Sequence, residues 1–293
     1  MTRALSIIPA LMMGVLSILA LSIPPSRAAD PQAFVVEKSG AGRPVVFIPG
    51  LSSSGEVWSL LKADLGPGYE THVITLAGFA GVPPVQGPFL ETRLAALEAY
   101  LEAENLEDAV IVGHSLGGFM AMKLALAAPD RIGDVVIVDS VPFLAQFFLR
   151  AQTVAEAEPR AAALRDQLLQ FTDEQHEAQQ RGLAAASARE PEAQAIILEG
   201  SLASDRETSA NAVYELLTSD LREEIANIRA PMLVLYPWRA GGPFAAEQTD
   251  AAYAAQYANA KTATLKRIDD ATHFIMLDRP EETYEAVAAF LEE

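Results

Sequence analysis

Short apolar runs separated by helix-length segments recur along almost the whole of this 293-residue chain. "AFVVEKSG", "RPVVFIPG", "THVITLAG", "DAVIVGH", "RIGDVVIVDS", "APMLVLYPW" and "TATLKRIDD" each read as a strand. Most of them are apolar on both alternating sets of positions, the pattern of strands buried on both faces. Such strands pair in a mostly parallel sheet, and the segments between them are helices that cover it. "GPFLETRLAALEAYLEAENL" is one of those segments, with Leu90, Leu94, Leu97 and Leu101 on one helical stripe. The predicted class is α/β, a mostly parallel sheet covered by helices. In open sheets of this kind ligands bind beyond the C-terminal ends of the strands, so the loops there carry the functional information.

The pattern changes between Pro142 and about Asp220. "AQTVAEAEPRAAALRDQLLQFTDEQHEAQQRGLAAASARE" is rich in Ala, Glu and Gln and holds no strand-like run. It reads as several helices inserted between two sheet strands. No repeat or low-complexity linker sets it apart, so it is expected to be a cap at about 142–220 within one domain running from 29 to 293. It is either a helical decoration or a lid over the strand ends, and its place in the chain favours the lid.

"DAVIVGHSLGGFMAMKLAL" sets Gly113, Gly117 and Gly118 around Ser115, between an apolar strand and a helix. Gly113-His114-Ser115-Leu116-Gly117 matches the nucleophile elbow G-x-S-x-G. Small residues are needed two before and two after the serine, because the turn would otherwise clash. The turn lifts the hydroxyl above the sheet. The N–H of Leu116 then points where an oxyanion would form, at a helix N-terminus that favours negative charge. The five-residue pattern alone is weak, but the strand before it and the helix after it are the context it requires.

With this elbow, the early "FIPGLSSSGEVW" and the late "ATHFIMLDRPEE", the chain resembles the α/β-hydrolase fold family across its length after the first residues. The late segment is similar to that family's histidine loop and final helix. A serine nucleophile needs a base, and there are four histidines. His72 begins a strand on the wrong edge of the sheet, His114 is locked inside the elbow, and His176 lies in the insertion, where solvation is expected. His273 follows the last strand, so elimination and resemblance both indicate His273. The resemblance also implies a second oxyanion donor, the N–H of Leu51, after Pro49-Gly50. Ser52, Ser53 and Ser54 beside it are either further donors or turn residues.

The acid is where the chain departs from the pattern. The family usually places an aspartate after the strand that here reads "PMLVLYP", but "WRAGGPFAAEQTD" offers no carboxylate before Glu247. Some relatives carry the acid one strand earlier, where "VVIVDS" offers Asp139. Asp139 is the expected acid, with Glu247 or Asp250 as the alternative and a missing acid as the third possibility. Asp269 and Asp270 are so near His273 that they are expected to shape its loop. Ala77, Phe79, Ala80 and Val82, with Phe143, Phe147 and Phe148, either line an apolar acyl or alcohol pocket or pack the insertion to the body.

Composition bounds the partners. A net charge of −18 is the opposite of a nucleic-acid footprint and disfavours anionic lipid. The chain has no cysteine, which removes disulfides, thiolate catalysis and cysteine-ligated zinc. Arg3, the uncharged run Ala4 to Ile23, and Ser26 and Ala28 in "PPSRAAD" read as an export signal over 1–28, giving a periplasmic or secreted protein. The run is also just long enough for a retained membrane anchor. The expectation is an exported serine hydrolase acting on a small-molecule carboxylic ester or similar acyl compound, with no metal or organic cofactor implied. An aminopeptidase or amidase on the same scaffold, or a non-catalytic binding protein, are the alternatives.

Overall fold

In a computed structural model that describes residues 32–292, the expected strands pair into one seven-stranded sheet; the expected export segment lies outside the described residues. In chain order the elements are β1 (Phe34–Gly40), β2 (Arg43–Ile48), α1 (Ser59–Asp64), β3 (Tyr69–Leu76), α2 (Phe89–Ala103), β4 (Ala109–His114), α3 (Leu116–Ala127) and β5 (Ile132–Val138). The inserted helices follow as α4 (Leu144–Phe148), α5 (Val154–Gln170), α6 (Asp173–Ser187), α7 (Pro191–Leu202) and α8 (Arg206–Leu217). The chain then returns through β6 (Met232–Trp238), α9 (Ala246–Gln256), β7 (Ala263–Asp269), α10 (Ile275–Asp278) and α11 (Pro280–Leu291).

The strand order is β1-β3-β2-β4-β5-β6-β7. Only β1 runs antiparallel, against β3; the other pairs are parallel. The chain steps outward from β2 to β3 and then crosses back to lay β4 on the other side of β2. That reversal opens a crevice beyond the C-terminal ends of β2 and β4, where α/β sheets bind ligands.

Alternating residues of the central strands feed two cores. Val46, Ile48, Ile111, Ile137 and Val234 join Leu94 and Leu97 of α2, Phe119 of α3 and Tyr253 of α9 on one face. Val45, Phe47, Val112, Val136 and Leu235 join Leu61 of α1, Ile275 of α10 and Val287 of α11 on the other. Burial on both faces accounts for the apolar runs in the sequence. At the two sheet edges most residues of β1 and β7 are exposed or only partly buried. There the sequence turns polar, as in "VEKSG" and "LKRID".

His72 lies within β3 rather than at its start, because the strand begins at Tyr69. It is fully buried, with Nδ1 2.7 Å from the Tyr100 hydroxyl.

The insertion carries its own small core, where Phe143, Ala145, Ala157, Ala161 and Leu217 pack between α4, α5 and α8. Its contacts with the body include the loops that follow β2, β3 and β7, the start of α2, where Phe89 and Leu90 N–H donate to Glu215, and α9 through Gln256. Ala80 N–H donates to Ser204 Oγ at 2.9 Å, Gly81 N–H to Ala203 O at 3.0 Å, and Asp205 N–H to Gly78 O at 2.8 Å. Ser52 and Ser209 share a hydroxyl bond at 2.8 Å. At the end of α6, Phe274 N–H donates to Ser187 O at 3.0 Å. Among the described residues no helix is long and apolar enough to cross a membrane.

Candidate active site

The turn between β4 and α3 is built by exclusion of side chains. A Cβ on Gly113 would sit 2.3 Å from Gly117 O, and one on Gly117 would sit 2.1 Å from Ile48 O. Both contacts are with backbone, which cannot swing aside. Ser115, between them, has φ 52° and ψ −118°, a conformation that costs a non-glycine residue about 1–3 kcal/mol. The fold holds it there: Ser115 N–H donates to Val138 O at 3.0 Å, and Phe119 N–H returns to Ser115 O at 3.0 Å. Leu116 opens α3, so its N–H has no partner within the helix.

The loop after β2 lies directly against this turn. A Cβ on Gly50 would be 3.2 Å from Ser115 Cβ and 2.8 Å from His114 Nδ1. The structure thus sets Gly50, the residue before Leu51, against the elbow at the switch in strand order. The serines beside it have turn and docking roles. Ser53 Oγ donates to Leu51 O at 3.2 Å, Ser54 caps the following turn through Glu56 N–H, and Ser52 ties to Ser209 of α8.

Asp139 directly follows β5 with φ 45°, its N–H bonded to Leu235 O at 2.8 Å. One carboxylate oxygen lies 2.6 Å from His273 Nδ1. A carboxylate only accepts, so Nδ1 carries a proton, and in the neutral ring Nε2 then keeps its lone pair. That is the tautomer a general base requires. The Asp139 side chain is 13% exposed against 37% for His273, so the pair runs from the interior to the opening. The other Asp139 oxygen accepts from the Tyr253 hydroxyl.

His114 holds the histidine loop from below. It is fully buried, its ring 4.5 Å from the His273 ring, with Nε2 3.0 Å from His273 O. A carbonyl only accepts, so Nε2 bears the proton. Nδ1 is buried without a partner. Burial, with His273 adjacent, pushes the His114 pKa well below the ordinary histidine value, so it stays neutral. His176 is partly buried on α6, and desolvation lowers its pKa too.

The alternative carboxylates lie elsewhere. Asp250 accepts from the Tyr236 hydroxyl at 3.0 Å and pairs with Arg267 at 2.7 Å. Glu247 is exposed in the first turn of α9. Asp269 is bonded to Arg267, and Asp270 O accepts from Arg189. Of the expected aromatic pocket, Phe79 and Phe143 are fully buried, Phe79 stacking on Phe89 at 5.2 Å, so these two pack the body and the insertion. Phe147 is 38% exposed, edge-on to Tyr253 at 5.7 Å, while Phe148 is exposed. Tyr253 and Tyr257 are the residues near Asp139 that the sequence does not single out. Their spacing in "YAAQY" puts both on one helix face, which was the available signal.

A model of the alpha/beta hydrolase family matches residues 45–286. The chain belongs to that family. A putative carbamate hydrolase of Azorhizobium caulinodans is 29% identical to this α/β hydrolase over 204 residues, 68% of this chain and 74% of the relative. A pimeloyl-[acyl-carrier protein] methyl ester esterase of Vibrio cholerae is 31% identical over 210 residues, 68% of this chain and 76% of the relative. Among solved structures, a thermophilic esterase from Thermogutta terrifontis superposes with a TM-score of 0.73 at 20% identity, covering 88% of this chain and 93% of that one. The last likeness is one of fold; the matches together identify an α/β-hydrolase enzyme.

Proposed function

We propose that this enzyme cleaves a carboxylic ester or a similar acyl compound through a covalent acyl-enzyme. Ser115 Oγ attacks the acyl carbon while His273 Nε2 takes its proton. The N–H groups of Leu51 and Leu116 hold the oxyanion. Collapse of the tetrahedral intermediate expels the alcohol, which receives the proton from His273. A water, deprotonated by His273, then attacks the acyl-serine and releases the acid and the free serine. Asp139 keeps His273 in the required tautomer and stabilises the imidazolium that forms twice per cycle.

The observation that carries this reading is the 2.6 Å contact between Asp139 and His273 at the strand ends where Ser115 is held strained. The ester class draws support from the Vibrio relative, described as a methyl ester esterase. A fluorophosphonate probe should label wild-type enzyme at Ser115, and p-nitrophenyl esters should turn over faster than aminoacyl anilides. Faster anilide cleavage would turn the assignment to an amidase. Absence of labelling in folded protein would leave a binding protein. The insertion is proposed as a lid over a small-molecule acyl substrate, because it bonds the loops at the strand ends through Ser52, Ala80, Gly81 and Phe274. Export rests on Arg3, the run Ala4 to Ile23 and the Ser26-x-Ala28 site. Its test is the mass of protein from the native host, expected to begin at Ala29.

A further inference from the structure

The mechanism above uses one oxygen of Asp139 and leaves the other to Tyr253. Tyr253 lies on α9, and four residues later Tyr257 donates its hydroxyl to Ser140 O at 2.8 Å. Residues four apart share a helix face, so the end of α9 presents two phenols to one dipeptide, Asp139-Ser140. Between them, Gln256 accepts from Phe143 N–H at 3.0 Å and donates to Gln146 at 2.5 Å. All three side chains are buried. This face of α9 therefore fixes the whole segment that leaves β5 for the insertion. The Tyr253 ring is itself held, stacked on Tyr236 of β6 at 4.4 Å and 19°. Behind it, Tyr236 bonds Asp250, which pairs with Arg267.

Two features make this more than packing. The loop after β6, where relatives carry the acid, has none in this chain within reach of His273; α9, the helix that follows it, supplies a donor to the acid one strand earlier. And Asp139 sits at positive φ on a strand end, where a carboxylate held through one oxygen alone is free to rotate about its side-chain bonds. We infer that Tyr253 is a positioning residue for the enzyme's acid, its hydroxyl fixing the Asp139 rotamer that aims at His273. This rests on the reading of Asp139 as the residue that orients His273. Burial and the neighbouring Asp139 charge hold the Tyr253 phenol well above its ordinary range, so it remains a donor at working pH. It also draws charge toward the oxygen that does not face His273. The groups facing the Asp139–His273 pair are Tyr253 and Tyr257 from the end of α9, with Tyr236 behind them, and His114 from β4, which burial keeps neutral.

Tyr253→Phe keeps the stacked ring and removes only the donor. Expected are a fall in kcat of about 10-fold or more, the scale of one hydrogen bond to a charged group, with KM nearly unchanged. The acid limb of kcat/KM should shift, because the charge that Asp139 presents to His273 changes when the phenol is removed. The low-field His273 N–H resonance should shift with it. In an Asp139→Asn background the same change should cost nothing further. A Tyr253→Phe enzyme with wild-type kcat, limb and resonance would overturn the inference while leaving the triad intact. Active Asp139→Asn enzyme would instead overturn the triad and this inference with it. A second measurement needs no Tyr253 variant: in tyrosine-labelled protein, the Tyr253 Cζ resonance should move on Asp139→Asn, and a stationary resonance also refutes the link.

Discussion

The loop after β4 and the loop after β6 are built on different principles. The first is specified within a few residues. Gly113 and Gly117 have no room for a side chain, and Ser115 is forced to positive φ between them. The second carries no acid, and α9 beyond it acts at a distance, through phenols that bond Asp139 and Ser140. Local sterics leave a fixed spacing in the sequence; long-range hydrogen bonds leave none. The contrast predicts that Gly113 and Gly117 tolerate no side chain, whereas the acid can migrate between strands if something else holds it.

The largest effect should come from the turn itself. Ser115→Ala removes the nucleophile with a change too small to disturb the fold. Turnover should fall by about 10⁵-fold or more, as expected when one member of a concerted unit is lost. Stopped assays with an activated ester, alongside a thermal midpoint, check it; esterase rates near wild type would end the elbow assignment.

Next comes the comparison's weaker side. Asp139→Asn keeps the shape of the carboxylate but leaves His273 in the wrong tautomer, and turnover should drop by about 10³–10⁴-fold. Asp250→Asn and Glu247→Gln should be nearly silent in turnover, since Asp250 is engaged with Tyr236 and Arg267 and Glu247 is exposed. A large loss in Asp250→Asn with little in Asp139→Asn would place the acid after the later strand. Wild-type rates in all three would leave Ser115 and His273 working as a dyad.

A glycine of the turn tests whether the elbow is as rigid as its contacts imply. Gly117→Val would drive a branched side chain against Ile48 O and Pro49 O, at 2.1 and 2.6 Å from the added Cβ. We expect a loss of about 3 kcal/mol or more of stability, seen as low soluble yield and an early denaturation midpoint. A variant of normal stability would mean that the backbone of β2 yields where the packing says it does not.

These differences mark what was legible in the sequence. The sheet was, because Val45 to Ile48, Val110 to Val112 and Val135 to Val138 must be apolar on both faces to be buried between two helical layers. The elbow was, because its glycines are demanded by contacts within the turn. His273 was reachable by elimination, there being few histidines. Asp139 needed a choice between strands, since an aspartate at a strand end is equally at home as a cap. Tyr253 was legible only as one of a pair sharing a helix face: the spacing "YAAQY" shows that much, but not that its hydroxyl meets a carboxylate 114 positions earlier. The aromatic pocket was ambiguous because Phe79 and Phe143 have the same composition whether they line a cavity or fill a core.

The smallest effect concerns pH, and it separates the two histidines of the site. His114 is buried and its pKa lies well below the ordinary value of about 6.5. The unfolded chain takes up a proton at His114 near that ordinary value, and the folded chain does not. As pH falls through about 6.5, the unfolded state is therefore favoured, and stability present above that pH is lost progressively toward the folded pKa. One full proton of difference is worth about 1.4 kcal/mol per pH unit. His72 and His176 are shifted in the same direction and add to the slope. His114→Asn keeps a donor for His273 O while removing the titration. Its thermal midpoint should decline less steeply between pH 7 and pH 5 than that of the wild type, whatever its value at pH 7. Parallel curves for the two proteins would show that His114 accepts a proton within the fold, and that the histidine beneath the elbow is not the neutral support its burial makes it.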